Sequence, residues 1–184
     1  MPGVKPPPSR ASHPRRQRFV ARRAGTLVSL SFLVIGGSAC GNWISVSYAG
    51  QVGITVDQAG QPVIAVMTCS KATPVIELSE GRKKSDPDHT PNVQRGGWKA
   101  RRAFAGVDKI ALSSPGENWV TTLDPGGLEL DRPFVVDGGT TEDENASLGG
   151  VSFHRQDLAQ LSPNQVQVEG KVESMDAFGA YRCH

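Results

Sequence analysis

Short segments with a two-residue hydrophobic period constrain the fold of this chain most. From Trp43 onward, apolar and polar residues alternate, so that Ile44, Val46 and Tyr48 share one face. Similar β-branched runs follow, with Gly- and Pro-rich turns between them. Strands are predicted at 62–69, 73–79, 98–104, 109–113, 118–123, 127–130, 134–138, 151–155 and 166–172. Eight to ten short strands with little helix predict an all-β fold, an antiparallel β-sandwich that is immunoglobulin-like or similar.

Four segments fall outside this strand pattern. The eighteen residues 80–97 are polar, contain two prolines and predict a long loop, either mobile or functional. An acidic loop is expected at 138–150. One helical turn is expected before Pro163, and Ser174 is a suitable N-cap for a short C-terminal helix over 174–183.

The first 39 residues have the composition of an export signal. Seven Lys and Arg and no acidic residue precede Cys40. The apolar run 24–35 has the length of a signal-peptide hydrophobic region and is shorter than the roughly 20 residues that span a bilayer. We therefore predict a signal peptide over 1–39 and one mature domain over 40–184. The doubled arginines leave the export route open between the general and the twin-arginine pathways.

Small residues separate this apolar run from Cys40. The stretch Gly36, Gly37, Ser38, Ala39, Cys40 resembles a bacterial lipobox, although Gly37 stands where an aliphatic residue is usual. The resemblance implies cleavage before Cys40 and a diacylglyceryl thioether on its sulfur. The protein would then be exported and held to the cell membrane by lipid, facing the cell wall. An uncleaved signal anchor and ordinary cleavage after Ala39 without lipid are the alternatives.

The number of cysteines bears on whether Cys40 carries lipid. The chain has three cysteines, and lipid on Cys40 leaves Cys69 and Cys183. An even remainder in an exported domain favours a Cys69–Cys183 disulfide, with two buried thiols as the alternative.

The net charge differs between the leader and the mature part. The chain has 20 Lys and Arg, of which seven precede Cys40, so 13 remain against 18 Asp and Glu, a net of −5. The overall basicity therefore belongs to the leader, and nucleic acid is not expected as a partner. A basic region at 82–102 is suited to anionic lipid or wall polymer, and the alternative is a solvated face balanced by acidic residues elsewhere.

Residues that carry chemistry are few. The candidates for a hydrolase or a metal-dependent enzyme are His154 and, in a separate loop, Asp86, Asp88 and His89. Neither set matches a familiar motif. The acidic run Glu142 to Glu144 reads as a charged loop. We therefore predict no catalytic residue, no metal site and no cofactor. The tryptophans are expected to fill the core or cover a sheet edge rather than line a sugar-binding groove.

Several longer stretches together resemble one group of proteins. The lipobox, "GITVDQAGQPVIAVMTCS", "FHRQDLAQLSPNQVQVEGKV" and the terminal "DAFGAYRC" are similar to small exported lipoproteins of high-GC Gram-positive bacteria. The resemblance implies an envelope protein with a β-rich domain, and it also favours the Cys69–Cys183 bridge. It brings no known activity. Because the sequence shows no catalytic constellation, a non-enzymatic binding or scaffolding module is predicted, with an envelope hydrolase or metal-dependent enzyme as the alternative.

Overall fold

The described residues of this computed structural model, 47–83 and 85–181, are mostly β-strand. The eleven strands are β1 Ser47–Tyr48, β2 Gly50–Val56, β3 Pro62–Ala72, β4 Pro74–Glu80, β5 Val93–Ala100, β6 Phe104–Ala111, β7 Trp119–Leu123, β8 Phe134–Thr140, β9 Ala146–Phe153, β10 Gln165–Val168 and β11 Lys171–Ser174. The two helices are α1 Arg155–Leu158 and α2 Met175–Gly179. The prediction of an all-β class is confirmed.

The strands form two sheets. One has six strands in the order β1-β9-β8-β4-β5-β7, and the other has five in the order β11-β10-β2-β3-β6. Every pair is antiparallel except β1 with β9, which run parallel over two residues. The chain thus enters along one sheet in β1 and passes into the other sheet in β2.

One hydrophobic core joins the two sheets. It contains Ile54 and Ile64 from the five-stranded sheet and Ile76, Trp98 and Val136 from the six-stranded sheet. These side chains alternate with exposed or partly exposed neighbours along β4 and β8, which is the period-two pattern of a sheet with one buried face. Gly138 lies on this inner face, where an added Cβ would stand 2.9 Å from Val52 and 3.0 Å from Ile76.

Several predicted element boundaries are wrong. The polar loop ends earlier than residue 97, because β5 begins at Val93 and continues the β4 ladder through a register shift. The predicted strand 98–104 is in fact the end of β5, a turn, and the start of β6. Residues 127–130 form no strand. The segment 166–172 is divided between β10 and β11, because Glu169 and Gly170 form a tight turn with φ of 48° and 77°.

The C-terminal helix α2 packs on the outside of the five-stranded sheet. As predicted, Ser174 caps it, with the Ser174 hydroxyl accepting a hydrogen bond from the Ala177 N–H at 3.1 Å. Phe178 is fully buried in a second, smaller cluster with Met67, against which Cys69 and Tyr181 also pack. Gln51 donates from its side chain to the Phe178 carbonyl at 3.0 Å. The helix is therefore held by both apolar and polar contacts.

The strand directions define two ends of the sandwich. We call the end where β1 starts the entry end. It also carries the connections at 73, 101–103 and 141–145. The Ser47 N–H donates there to the Asn145 carbonyl at 3.2 Å. The far end carries the connections 57–61, 81–92, 124–133 and 154–164. Because β4 has seven residues, the two ends are roughly 20 Å apart.

The predicted leader, Cys40 and Cys183 lie outside the described residues. Among the residues that the structure does describe, no helix is long and apolar enough to cross a membrane.

Candidate ligand-binding cleft

Glu80, the last residue of β4, organises the far end through two arginines. Its carboxylate receives Arg95 from β5, at 2.7 Å from Nε and 2.6 Å from Nη2, and Arg132 at 2.8 Å from Nε. The side chain of Glu80 is only 12% exposed, so this carboxylate is held largely out of solvent with both partners in hydrogen-bond contact. The network joins β4, β5 and the segment before β8.

The polar loop 81–92 is ordered by its own contacts. The Asp86 carboxylate accepts from the Lys83 N–H at 2.7 Å, and Asp86 N–H donates back to the Lys83 carbonyl at 2.9 Å. The Arg82 guanidinium donates to the carbonyls of Pro87 and Asp88. These bonds give the loop two successive turns without an apolar core of its own.

A cleft of about 650 Å³ opens between this loop and the segment that leads into β8. Seven of the described residues line the cleft, and most of them are charged, with both signs present. They are Arg82, Lys83, Asp86, Asp88, Asp131, Pro133 and His154. Lys83 Nζ lies 3.0 Å from the Asp131 carboxylate. This hydrogen bond is the main reason that the pKa of Asp131 is below its ordinary value. Because its cations are paired, the cleft suits a polar ligand that carries both charges better than a simple anion.

Replacing Lys83 with methionine should raise the pKa of Asp131 towards its ordinary value. The bond stabilises the fold above the unfolded-state pKa, and its contribution is lost as the pH falls through the lowered pKa. The measurement is an NMR titration of the Asp131 carboxyl carbon, with Lys71→Met as the matched control. An Asp131 titration identical in both variants would show that Lys83 does not hold this carboxylate.

The 86–89 loop has no metal-binding geometry. Within the described ranges, no group of three or more His, Cys, Asp and Glu side chains is placed to hold a metal ion. Asp86 accepts from a backbone N–H and lies 4.0 Å from Arg132, and Asp88 lies 3.9 Å from Arg82. Cationic groups therefore stand where a metal ion would have to bind.

His154 lines the cleft but serves as the N-cap residue of α1. Its N–H donates to the Asp157 carboxylate at 2.7 Å, and its Nδ1 lies 3.4 Å from the same carboxylate. Among the described residues, no serine or threonine hydroxyl is hydrogen-bonded to this imidazole. The structure brings His154, Asp86 and Asp88 to one cleft without supplying an activated nucleophile.

Two of the three tryptophans are core residues, as predicted. Trp98 is fully buried and Trp119 is 2% exposed, with its indole N–H donating to the Asp108 carboxylate at 3.1 Å. Neither presents a ring for sugar stacking. Trp43 lies outside the described residues.

The basic region 82–102 does not form a single surface. Arg82, Lys83 and Arg95 belong to the far end and have carboxylate partners. Arg101 and Arg102 occupy the β5–β6 turn at the entry end. These residues are close in the chain but lie at opposite ends of the fold. Local sequence patterns carry no signal for Asp131 and Arg132, which the pairing of β4 with β8 brings beside the loop of the cleft.

Comparisons with known proteins add no relative. No family model, no curated protein and no solved structure matches the chain.

Proposed function

We propose that this chain is a lipid-anchored cell-envelope protein, akin to the small exported lipoproteins that its sequence resembles. Cys40 carries the lipid, and the domain stands at the outer face of the cytoplasmic membrane. There it acts as a non-enzymatic binding or scaffolding module. The domain has two sheets, and an immunoglobulin-like arrangement of their strands stays a prediction.

The observation that supports this proposal best is the position of the cleft relative to the start of the domain. Six residues separate Cys40 from Ser47, a segment that reaches at most about 24 Å when fully extended. The entry end is therefore tethered close to the membrane. The cleft lies at the far end, where it is available to molecules of the wall.

The contacts in the cleft favour binding over catalysis. His154 is occupied by its own helix, and the carboxylates of the cleft are engaged by cations or by backbone N–H groups. A hydroxyl nucleophile needs an adjacent base that activates it, and among the described residues no serine or threonine hydroxyl is hydrogen-bonded to His154. A rigid mixed-charge surface is what a recognition site uses to orient a polar ligand.

Site-specific crosslinking in the bacterial envelope tests this proposal. A photoreactive residue at His89, exposed in the far-end loop, should give discrete adducts with envelope components. The matched control places the same residue at Glu144, exposed at the entry end. Adducts that arise equally from both positions, or hydrolysis of wall glycans, peptides or esters by the purified protein, would contradict the proposal.

A further inference from the structure

Most basic side chains of the described residues fall into two groups. At the far end, Arg82, Lys83, Arg95 and Arg132 all have carboxylate partners within 4.0 Å. A second group of four exposed side chains lies at the entry end and has no ion pair or side-chain hydrogen bond among the described residues: Lys71, Lys99, Arg101 and Arg102. Three more exposed basic residues lack such a partner but lie apart, in β6, α1 and β11: Lys109, Arg155 and Lys171. We call this second group the basic edge.

The register places the basic edge at the entry end. Arg101 and Arg102 form the turn between β5 and β6, and the Arg101 N–H is fixed to the Asn118 carbonyl at 2.8 Å. Lys71 precedes Ala72, which pairs with Phe104 at the start of β6. Lys99 alternates with buried Trp98 and Ala100, so it lies on the outer face of the six-stranded sheet. The two lysines thus flank the arginine turn on opposite sheets.

Acidic residues occupy the other side of the same end. Glu142, Asp143 and Glu144 lie in the β8–β9 turn beside the start of β1, and Glu142 accepts from the Thr73 N–H at 3.0 Å. Hydrogen bonding from Thr73, first from its side chain and then from its backbone N–H, lowers the pKa of Glu142. Only β4 separates β8 from β5 in the sheet, which puts the two turns about 10 Å apart. The Debye length at physiological salt is about 8 Å, so salt weakens the attraction between the two charged sides.

We propose that the basic edge rests on anionic phospholipid headgroups and sets the orientation of the tethered domain. The inference rests on the proposed lipid anchor, because only a chain held at the membrane brings this end to the lipid. The tether by itself leaves the domain free to rotate. Four unpaired cations at one edge favour a tilt that brings the arginine turn to the headgroups, raises the acidic turn away from them, and keeps the cleft exposed.

Hydrogen exchange on vesicles tests this orientation. The lipidated protein is placed on vesicles of phosphatidylcholine alone, or of phosphatidylcholine mixed with phosphatidylglycerol. Each arginine in contact should favour the lipid-bound orientation about five-fold, so we expect slower amide exchange at residues 100–104 on the anionic vesicles. High salt should abolish the difference, because it screens charges but leaves the lipid anchor in place.

Two double variants keep the test specific. Arg101→Gln with Arg102→Gln should lose the protection on anionic vesicles. Lys109→Gln with Arg155→Gln removes the same amount of charge from the far end. This variant should keep the protection on anionic vesicles. Equal exchange on both vesicle types, or loss of protection in the far-end variant, would overturn the inference. Wild-type protein that fails to sediment even with phosphatidylcholine vesicles would contradict the lipid anchor of the proposed function instead.

Discussion

Replacing Trp98 with alanine is expected to lower the free energy of unfolding by about 3–5 kcal/mol, the usual cost of deleting a buried aromatic side chain. Trp98 is fully buried in the core that joins the sheets. It pairs with Ile76 on one side and Thr121 on the other, and its ring lies directly against Gly96, where an added Cβ would stand 2.8 Å away. The surrounding strands are tied into ladders on both sides and cannot close the resulting cavity.

Trp98→Phe is the informative control. The Trp98 indole N–H is buried without a hydrogen-bond partner among the described residues. Phenylalanine loses some packing but also removes this unsatisfied donor, which itself costs about 1–3 kcal/mol. The phenylalanine variant should therefore be clearly more stable than the alanine variant in urea unfolding at an unchanged m value. Equal destabilisation in the two variants, both of which lack the indole N–H, would show that an aromatic ring at position 98 contributes no packing to the core.

Reduction of the predicted Cys69–Cys183 disulfide is expected to cost on the order of 4 kcal/mol, because it would release a long closed loop in the unfolded chain. The bridge stays a prediction, since Cys183 lies outside the described residues. The fold supports it indirectly. Cys69 and Tyr181 pack against the same small cluster, and Tyr181 is two residues from Cys183 in the chain.

Thiol alkylation before and after reduction, followed by peptide mass mapping, checks this pairing. Both cysteines should be labelled only after reduction. Loss of the disulfide should first loosen the segment that contains α2. The thioether on Cys40 resists reductant, so lipidated protein provides an internal control. Full labelling of Cys69 and Cys183 in the native, unreduced protein would rule the bridge out.

The sequence pattern predicted the strands best where one face is buried. β4 and β8 alternate between buried and more exposed residues from their first residue, and their predicted starts lie within one residue of the observed ones. The start of β5 was missed because Val93, Gln94 and Arg95 are all exposed and only Val93 is apolar, so no apolar period marks them. Their strand conformation comes from pairing with β4, which is a tertiary interaction that local periodicity does not report.

The cleft was predictable only in part, for the same reason. The polar composition of the loop indicated an exposed segment, and Asp86, Asp88 and His154 were recognised as polar groups of interest. Their meeting depends on the order β9-β8-β4-β5, which brings the end of β9 beside the loop after β4. Strand order is set by contacts between residues far apart in the chain. The ion pair of Glu80 with Arg132 is another contact of this kind, because the two residues are more than fifty positions apart in the chain.

The state of Cys40 decides most directly whether this chain is a lipid-anchored envelope protein. The deciding measurement is the intact mass of the protein extracted with detergent from bacterial membranes. We expect a chain that begins at Cys40 and is heavier by a diacylglyceryl group. A full-length chain with an unmodified Cys40 would contradict the proposed lipid anchor, because residues 24–39 would then remain as an uncleaved anchor.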